Sequence, residues 1–485
     1  MPEAPVRVRI APSPTGYLHV GTARTAIFNY LFARHFGGQF LVRIEDTDKE
    51  RSDPALVEPI LDALKWLGIA WDEELVYQSR RLDRYASTAR QILDSGHGYR
   101  CFCTPEELNA AREKARAEKR TFHYNRHCLG LSETEIQERL TGGERFSIRL
   151  KIPDGETTFE DMVAGPITRQ NTEIEDFIIA RSDGSATYNL AVVCDDHDMG
   201  ITHVIRGNDH ITNTFKQIHL YRVLGWTLPE FGHVPLILRP DRKKVSKRLG
   251  DKDVNEYQRE GILPEAMFNY LCLLGWSPKT DREVYSPQEL IDLFDPRNFN
   301  PSNAIFDEGK LLAFNKEHIG RKSDDDLAVL VAPLLVDAGL STKSRLETHR
   351  EYLRSVIRLL KDRVRRLSDF VDMGGYFFRF DYAYDPKAVR KHFTPENAAL
   401  LEELLKRFEA LNVLTAQNAE EALNAVAEAR GIKRAALIHA TRLAVTGVPA
   451  GPGLFELLEV LSKQVVLERM RKAIEYIRSL GAVDE

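Results

Sequence analysis

The sequence predicts an α/β architecture: a doubly wound parallel sheet near the front, an α+β insertion, and an all-helical C-terminal half. Three observations carry this. Val6, Val8 and Ile10 alternate with Arg7 and Arg9, a period of two in β-forming residues that reads as a strand. After Gly21 the spacing turns helical, with Ala23, Ala26, Ile27, Tyr30 and Leu31 on one side, and strands and helices then alternate to about residue 100. Beyond Phe306 the pattern is helical almost to the end.

Taken in order, the first strand ends at Pro12 and Pro14, which cannot donate to a ladder, and becomes a stiff loop. Phe40 to Ile44, bounded by Gly37 and Gly38, reads as a buried parallel strand. Asp53 and Pro54 open a helix that Gly68 closes, and Arg81 to Ser95 forms another closed by Gly96. From Tyr99 the character changes. A helix over 105–119 gives way to β-like segments at Phe146–Ile152, Phe177–Arg181 and Thr187–Val193, with Asp183-Gly184 as a hairpin turn between the last two. Strands follow at Thr202–Arg206 and Val234–Leu238, around a helix from Thr214 to Leu224. Leu263–Leu274 begins a helical region that continues through Leu327–Leu335, Arg350–Phe370, Glu396–Leu411, Ala419–Ala429 and Leu454–Leu480.

Bulk properties exclude several classes. The chain has 485 residues, 43% hydrophobic and 29% charged, the balance of a soluble globular protein with several cores. A net charge of −5 means that any nucleic-acid surface is a local basic face on an acidic body. No apolar run is long enough to span a bilayer, and the N-terminus lacks an export signal. Five cysteines in so long a chain point to a reducing compartment, the cytoplasm.

The chemistry concentrates in two stretches. The strand, a Gly-containing loop and a helix start at Gly21 form the arrangement in which unpaired N–H groups face a phosphate, and His19 sits just before that helix. Far downstream, Lys243-Lys244-Val245-Ser246-Lys247-Arg248 places two lysines three apart between Pro240 and Gly250, suited to gathering charge on a triphosphate. Taken alone, the first has an ordinary strand–turn–helix unit as its alternative reading and the second a solvated charged face.

Together they resemble the paired signatures of the class I aminoacyl-tRNA synthetases. His19-Val20-Gly21-Thr22 looks like the first, usually His-Ile-Gly-His, and Lys244-Val245-Ser246-Lys247-Arg248 like the second, usually Lys-Met-Ser-Lys-Ser. Ala11-Pro12-Ser13-Pro14-Thr15-Gly16 and Arg43-Ile44-Glu45-Asp46-Thr47-Asp48 are similar to the glutamyl branch. The helical tail matches the bacterial glutamyl form rather than the β-barrels of glutaminyl relatives. The resemblance implies a Rossmann-like catalytic domain over 1–100 and 195–260, and an inserted tRNA acceptor-end domain over 101–194. It further implies a connector over 261–310 and two helical anticodon-binding domains over 311–375 and 376–485.

The resemblance also assigns roles. His19, Lys244 and Lys247 stabilise the phosphates of ATP, with Thr15, Gly21, Asp209, Ile237 and Ser246 completing the nucleotide site. Arg9 and Arg206 clamp the carboxylates of glutamate, Glu45 holds its ammonium with help from Ser13, and Ala11 and Tyr188 line the pocket. Which arginine takes the side-chain carboxylate stays open. Mg²⁺ arrives on the nucleotide. The implied reaction is ATP-dependent attachment of L-glutamate to tRNA(Glu), or to tRNA(Gln) as well in a relaxed enzyme, by a monomer. Competing readings are a small-molecule nucleotidyl transferase and a relative that glutamylates a tRNA base. The transferase would not need the long helical region after the lysine loop. The base-glutamylating relative, like a non-catalytic tRNA-binding module, should lack either the lysine loop or the helical tail, and this chain has both.

Two further clusters stand out. Cys101, Cys103 and Cys128, with Tyr124 or His127 as a fourth group, read either as a Zn²⁺ site or as reduced cysteines packed as small hydrophobes. Arg358, Lys361, Arg363, Arg365 and Arg366 form a basic run on helical sequence, either a solvated face or a tRNA-binding surface.

Overall fold

A computed structural model describes residues 5–48, 50–120, 122–245 and 251–481. The chain divides into two compact units, 1–258 with 264–308, and 259–263 with 309–485.

The first unit holds β1 (Arg7–Ile10), α1 (Val20–His35), β2 (Gln39–Ile44), α2 (Val57–Trp66), β3 (Val76–Tyr77) and α3 (Leu82–Asp94). It continues through β4 (Gly98–Cys101), α4 (Pro105–Ala117), α5 (Glu133–Thr141), β5 (Ser147–Leu150), β6 (Glu156–Asp161), β7 (Gly165–Gln170) and β8 (Ile178–Ala180). After these come α6 (Tyr188–Asp198), β9 (His203–Gly207), α7 (Ile211–Leu224), β10 (Glu230–Val234), β11 (Ile237–Leu238), α8 (Val254–Arg259), α9 (Pro264–Leu273), α10 (Pro287–Leu293) and β12 (Ala304–Ile305).

β1 pairs in parallel with β2, and β2 with β3. β9 runs beside β1, where the Thr202 N–H donates to the Arg7 carbonyl at 2.9 Å, and pairs in parallel with β10. The other edge of β10 receives β6, which brings β7 antiparallel behind it. The β6–β7 hairpin therefore extends the β9–β10 sheet, while β4, β5 and β8 form a separate antiparallel sheet. The α/β class and its parallel sheet stand as the sequence predicts. Gly38 is required where α1 hands over to β2, because a Cβ there would sit 2.3 Å from the Val6 carbonyl oxygen.

Several elements depart from the sequence reading. Thr187–Val193 is the start of helix α6, not a strand. Leu190 to Cys194 are buried on every side, so the apolar run carries no helical period. The Asp183-Gly184 turn is present, with Gly184 at φ +86°, but it feeds that helix. Val234–Leu238 divides at Pro235, which cannot donate to a ladder, into the end of β10 and β11. The β6–β7 hairpin carries no period-two apolar signal on both strands and escapes the sequence.

The second unit is helical: α11 (Glu308–Arg321), α12 (Asp324–Asp337), α13 (Lys343–Thr348), α14 (Arg350–Leu360), α15 (Asp369–Gly374) and α16 (Pro386–His392). α17 (Pro395–Ala410), α18 (Ala416–Ala429), α19 (Arg434–Thr446), α20 (Leu454–Leu461) and α21 (Lys463–Gly481) complete it. α14 buries Leu353, Val356, Ile357 and Leu360, the i, i+3, i+4, i+7 stripe of a packed helix. The expected helix Arg350–Phe370 stops at Leu360. Asp369 takes the N–H groups of Arg365 (2.7 Å) and Arg366 (2.9 Å), and Leu367 N–H donates to Gly261 O, so those donors leave the helical ladder. Leu454–Leu480 likewise breaks, at Ser462 with φ +71°. No helix among the described residues is long and apolar enough to cross a membrane.

The core of the first unit is partly ionic. Asp196 of α6 accepts from Arg9 Nε and Nη2 (2.9 and 3.0 Å) and from Arg43 Nη1 (2.6 Å), all three side chains being at most 5% exposed. Asp195 beside it accepts from Gln78 (2.7 Å), Arg81 Nε (2.7 Å) and the Tyr85 hydroxyl. Burial pushes the Asp196 carboxyl up, but Arg43 and Arg9 outweigh it and hold the group at about 2. Asp196→Ala leaves two buried guanidinium groups without their carboxylate and should cost about 3–5 kcal/mol. Because the folded carboxyl titrates below its unfolded value, its stabilisation is complete above about pH 4. It is lost as pH falls towards about 2. Urea melts of parent and variant across pH 2 to 7 check this, and curves that stay parallel down to the lowest pH would refute it.

Candidate active site

The loop joining β1 to α1 is fastened on both sides. Pro12 O accepts from Glu45 N–H (3.0 Å) and Pro14 O from Asp53 N–H (2.9 Å). His19 caps α1: its Nδ1 accepts from the N–H groups of Gly21 (3.1 Å) and Thr22 (3.2 Å). Those two bonds assign the ring proton to Nε2, which lies 3.0 Å from Thr22 Oγ1. Gly21 is needed by this cap, since a Cβ there would lie 3.0 Å from the His19 ring.

α1 is itself held by polar groups on its buried face. Arg24 donates to Leu274 O (2.8 Å) and to Pro235 O, and Asn29 to Ile205 O (2.9 Å). Pro235 leads directly into β11, which pairs with β12 and, across a turn with Arg242 at φ +63°, meets Lys244. Lys244 Nζ there donates to Asp209 Oδ2 at 2.7 Å. Burial opposes the Asp209 charge, but the ammonium keeps its carboxyl below the ordinary range.

These elements enclose a cleft of about 850 Å³. Its walls include Arg9, Ala11, Ser13, Thr15, His19, Gly21, Glu45, Tyr188, Arg206, Asp209, Ile237 and Lys244. Every described residue expected from the sequence to hold glutamate or ATP is therefore on one surface. Ser246 and Lys247 lie outside the described residues.

The two arginines differ in a way the sequence does not reveal. Arg9 has its Nε–H and one Nη2 hydrogen engaged by Asp196, which leaves Nη1 and the second Nη2 hydrogen for a ligand. Arg206 is 6% exposed and makes no ion pair within 4 Å among the described residues. Its Nη2 donates to Thr214 Oγ1 (2.6 Å) and Gln217 Oε1 (2.8 Å), and its Nε to His233 Nε2 (3.4 Å), while Nη1 is buried with no partner. Burial lowers its pKa. Burial also raises Glu45, against the pull of Arg43 Nη2 at 3.1 Å. It pushes Tyr188 up to about 12, with the Glu45 charge adding to the push. Burial and the Arg206 charge bring His210 down to about 4. The Tyr188 hydroxyl lies 3.2 Å from His210 Nδ1.

Sequence reasoning misses Arg43, Asp196, Thr214, Gln217, His210 and His233. The run Cys194-Asp195-Asp196-His197-Asp198, acidic residues directly after Leu190–Val193, is the one available signal, since charge inside an apolar run is costly unless paired.

The cysteines converge as well. The Sγ atoms of Cys101, Cys103 and Cys128 lie within 4.8 Å of one another. The Tyr124 hydroxyl is 3.4 Å from Cys101 Sγ and 3.6 Å from Cys103 Sγ, and accepts from Cys128 N–H at 3.2 Å. His127 is exposed and not part of the group. In the helical unit the basic run is not on one helix, because α14 ends at Leu360 and only Arg358 belongs to it. Asp324 engages Arg358 (3.0 Å) and Lys361 (3.6 Å), and Glu260 faces Arg366 (3.5 Å). Arg363 and Arg365 are exposed.

The fold and this cleft define a class I synthetase. The chain belongs to the family described as tRNA synthetases class I (E and Q), whose catalytic domain matches residues 5–313, and an anticodon binding domain matches 326–474. Among relatives, the glutamate–tRNA ligase of Moorella thermoacetica is 44% identical over 483 residues, covering 98% of this chain and 99% of that one. Glutamate–tRNA ligase 2 of Rubrobacter xylanophilus is 44% identical over 488 residues, covering 98% of each. Among solved structures, the glutamate tRNA ligase of Elizabethkingia meningosepticum in complex with its amino acid superposes with a TM-score of 0.88 at 33% identity, covering 98% of this chain and 100% of that chain.

The capping role of the His19 ring can be tested by itself. His19→Asn keeps a capping acceptor and should leave stability within about 0.5 kcal/mol, whereas His19→Ala removes it and should cost about 1 kcal/mol. Thermal melts of the two variants test this, and equal losses would show that the ring does not cap α1.

Proposed function

We propose that this protein attaches L-glutamate to tRNA(Glu) at the expense of ATP. The observation that carries the reading is Arg206: a buried guanidinium in the cleft, without a carboxylate partner within 4 Å among the described residues, across from the His19-capped start of α1. A neutral amide leaves that charge unpaired, so glutamine should be rejected by roughly 10⁴.

In the first step a carboxylate oxygen of glutamate attacks the α-phosphorus of ATP, the bond to the β-phosphate breaks, and pyrophosphate leaves. In the second, a ribose hydroxyl of the terminal adenosine attacks the acyl carbon and AMP leaves. Neither step needs a protein nucleophile; positioning and charge stabilisation suffice. His19 Nε2–H donates to a phosphate oxygen, Thr15, Gly21 and Ile237 cradle the nucleoside, and Asp209 holds the Lys244 ammonium until triphosphate competes for it. Ser246 and Lys247 complete the phosphate contacts. Mg²⁺ rides on the nucleotide oxygens. Arg206 takes the side-chain carboxylate. Nη1 of Arg9 takes the α-carboxylate, Glu45 and Ser13 hold the ammonium, and Ala11 and Tyr188 close the pocket. One chain supplies every described residue of the cleft, so a cytoplasmic monomer suffices.

The inserted domain (101–194) is assigned the tRNA acceptor end and the helical domains (311–375 and 376–485) the anticodon. The basic residues Arg358, Lys361, Arg363, Arg365 and Arg366 contribute phosphate contacts there.

Aminoacylation of isolated tRNA(Glu) and tRNA(Gln) tests the reading and separates a discriminating enzyme from a relaxed one. Pyrophosphate exchange with glutamate and ATP should require tRNA. Arg206→Ala should lower kcat/KM for glutamate roughly 100- to 1,000-fold and bring its preference over glutamine below about 10. Undiminished glutamate charging by that variant would overturn the assignment.

Cys101, Cys103, Cys128 and Tyr124 are assigned a structural Zn²⁺, which would tie the β4 end to the 124–128 turn. Three sulfurs and a phenolic oxygen at these separations fit one tetrahedral ion. Elemental analysis of the purified protein should find close to one Zn²⁺ per chain, falling below about a tenth in Cys103→Ser. Less than a tenth in the parent leaves the cysteines as packed hydrophobes.

A further inference from the structure

Behind Arg206, on the side away from the cleft, lies a buried relay that ends in the inserted region. Asp161, the last residue of β6, is 4% exposed. Its Oδ1 accepts from the N–H groups of Val163 (3.0 Å), Ala164 (2.9 Å) and His233 (3.2 Å). Its Oδ2 lies 2.6 Å from His233 Nδ1, both side chains being wholly buried. His233 Nε2 in turn lies 2.8 Å from Thr214 Oγ1 and 3.4 Å from Arg206 Nε. Thr214 Oγ1 accepts from Arg206 Nη2 at 2.6 Å.

The direction of each bond follows from the donor and acceptor inventory. An ionised carboxylate only accepts, so His233 Nδ1 carries the proton and Nε2 presents a lone pair. Arg206 only donates. Thr214 therefore accepts from Arg206 and offers its own hydrogen to Nε2 at 2.8 Å, nearer than the His210 carbonyl oxygen at 3.3 Å, while Nε2 also receives Arg206 Nε–H. With Asp161 ionised and the buried His233 ring neutral, the Asp161–His233 and Arg206–Thr214 bonds run in this direction only.

We propose that Asp161, His233 and Thr214 are positioning residues for glutamate selection: the relay fixes the His233 tautomer, and that tautomer holds the Arg206 fork with Nη1 turned to the substrate. The inference rests on the proposed reaction and on Arg206 as the carboxylate-binding arginine. It adds that the β6–β7 hairpin, part of the inserted region, sets the geometry of the amino-acid pocket through β10. An orienting carboxylate behind a histidine does this work elsewhere in enzymes by the same tautomer logic.

Two substitutions test it, each sparing the shape of the core. Asp161→Asn keeps an oxygen for the backbone N–H groups but puts an NH₂ opposite His233 Nδ1. That forces the ring proton to Nε2, where it faces Arg206 Nε–H. Thr214→Val removes the bridging hydroxyl alone. In aminoacylation assays with tRNA present, each should raise KM for glutamate roughly 10- to 100-fold, the worth of one charge-assisted hydrogen bond, with KM for ATP within twofold of the parent. The double variant should be no worse than the poorer single one within about threefold, because both cut one chain.

Multiplied single effects, equal rises in both KM values, or a lowered kcat with glutamate KM unchanged would overturn the relay and leave Asp161 a structural residue. Should Asp161→Asn not fold, Thr214→Val decides alone, by the same split between the two KM values. A parent that charges tRNA with no glutamate sinks the proposed reaction itself, a result distinct from any of these.

Discussion

The contact on which the active unit depends is the buried meeting of Asp196 with Arg9 and Arg43. Three ionised groups sit in a region where desolvation is costly, and each is tolerated because the others are in place. The geometry this imposes is specific. Arg9 comes from β1, Arg43 from β2 and Asp196 from α6, so one carboxylate ties two neighbouring strands to a helix that follows the insertion. Arg43 then extends to Glu45, placing a raised-pKa carboxyl at the cleft with its orientation already fixed. An apolar core of the same volume could stabilise these elements as well, but it could not hand on an oriented charge.

The same economy recurs at the far wall. Arg206 on β9 is oriented by neutral groups from α7, so its charge is left for whatever enters. Arg24 ties α1 to the carbonyls of Leu274 and of Pro235, the latter just ahead of the lysine hairpin, which sets α1 and the Lys244 segment on one foundation. Rigid secondary elements carry the fixed charges, and turns carry His19 and Lys244. That division suits a reaction in which positioning does most of the chemistry.

Much of this was legible in the sequence, for physical reasons. The first strand, α1 and β2 carry strong periods, and Pro12, Pro14 and Gly38 punctuate them. The residues lining the cleft sit in short polar motifs that a loop displays openly. What stayed hidden was the buried polar interior. Asp196 and Thr214 look like ordinary helical polar residues until the sheet brings Arg9, Arg43 and Arg206 against them, contacts made across 187, 153 and 8 positions of chain. α6 misled because a helix buried all round has no apolar face to betray its period. The distinction between Arg9 and Arg206 was equally invisible, since it lies in partners and not in type. In the helical half, helix presence was plain from the apolar spacing, but the break after Leu360 depends on Asp369 and the Gly261 carbonyl taking nearby donors, and the break at Ser462 on a positive φ that the residue type does not announce.

The bare Nη1 of Arg206 has a further consequence. A buried cation with no ion-pair partner within 4 Å among the described residues is a cost that the rest of the core has to offset. A methionine or leucine in its place would fill similar space without that penalty, giving a protein that survives heat better. Saturating amino acid should recover part of the same deficit by mass action, so the ligand acts as a folding aid as well as a reactant.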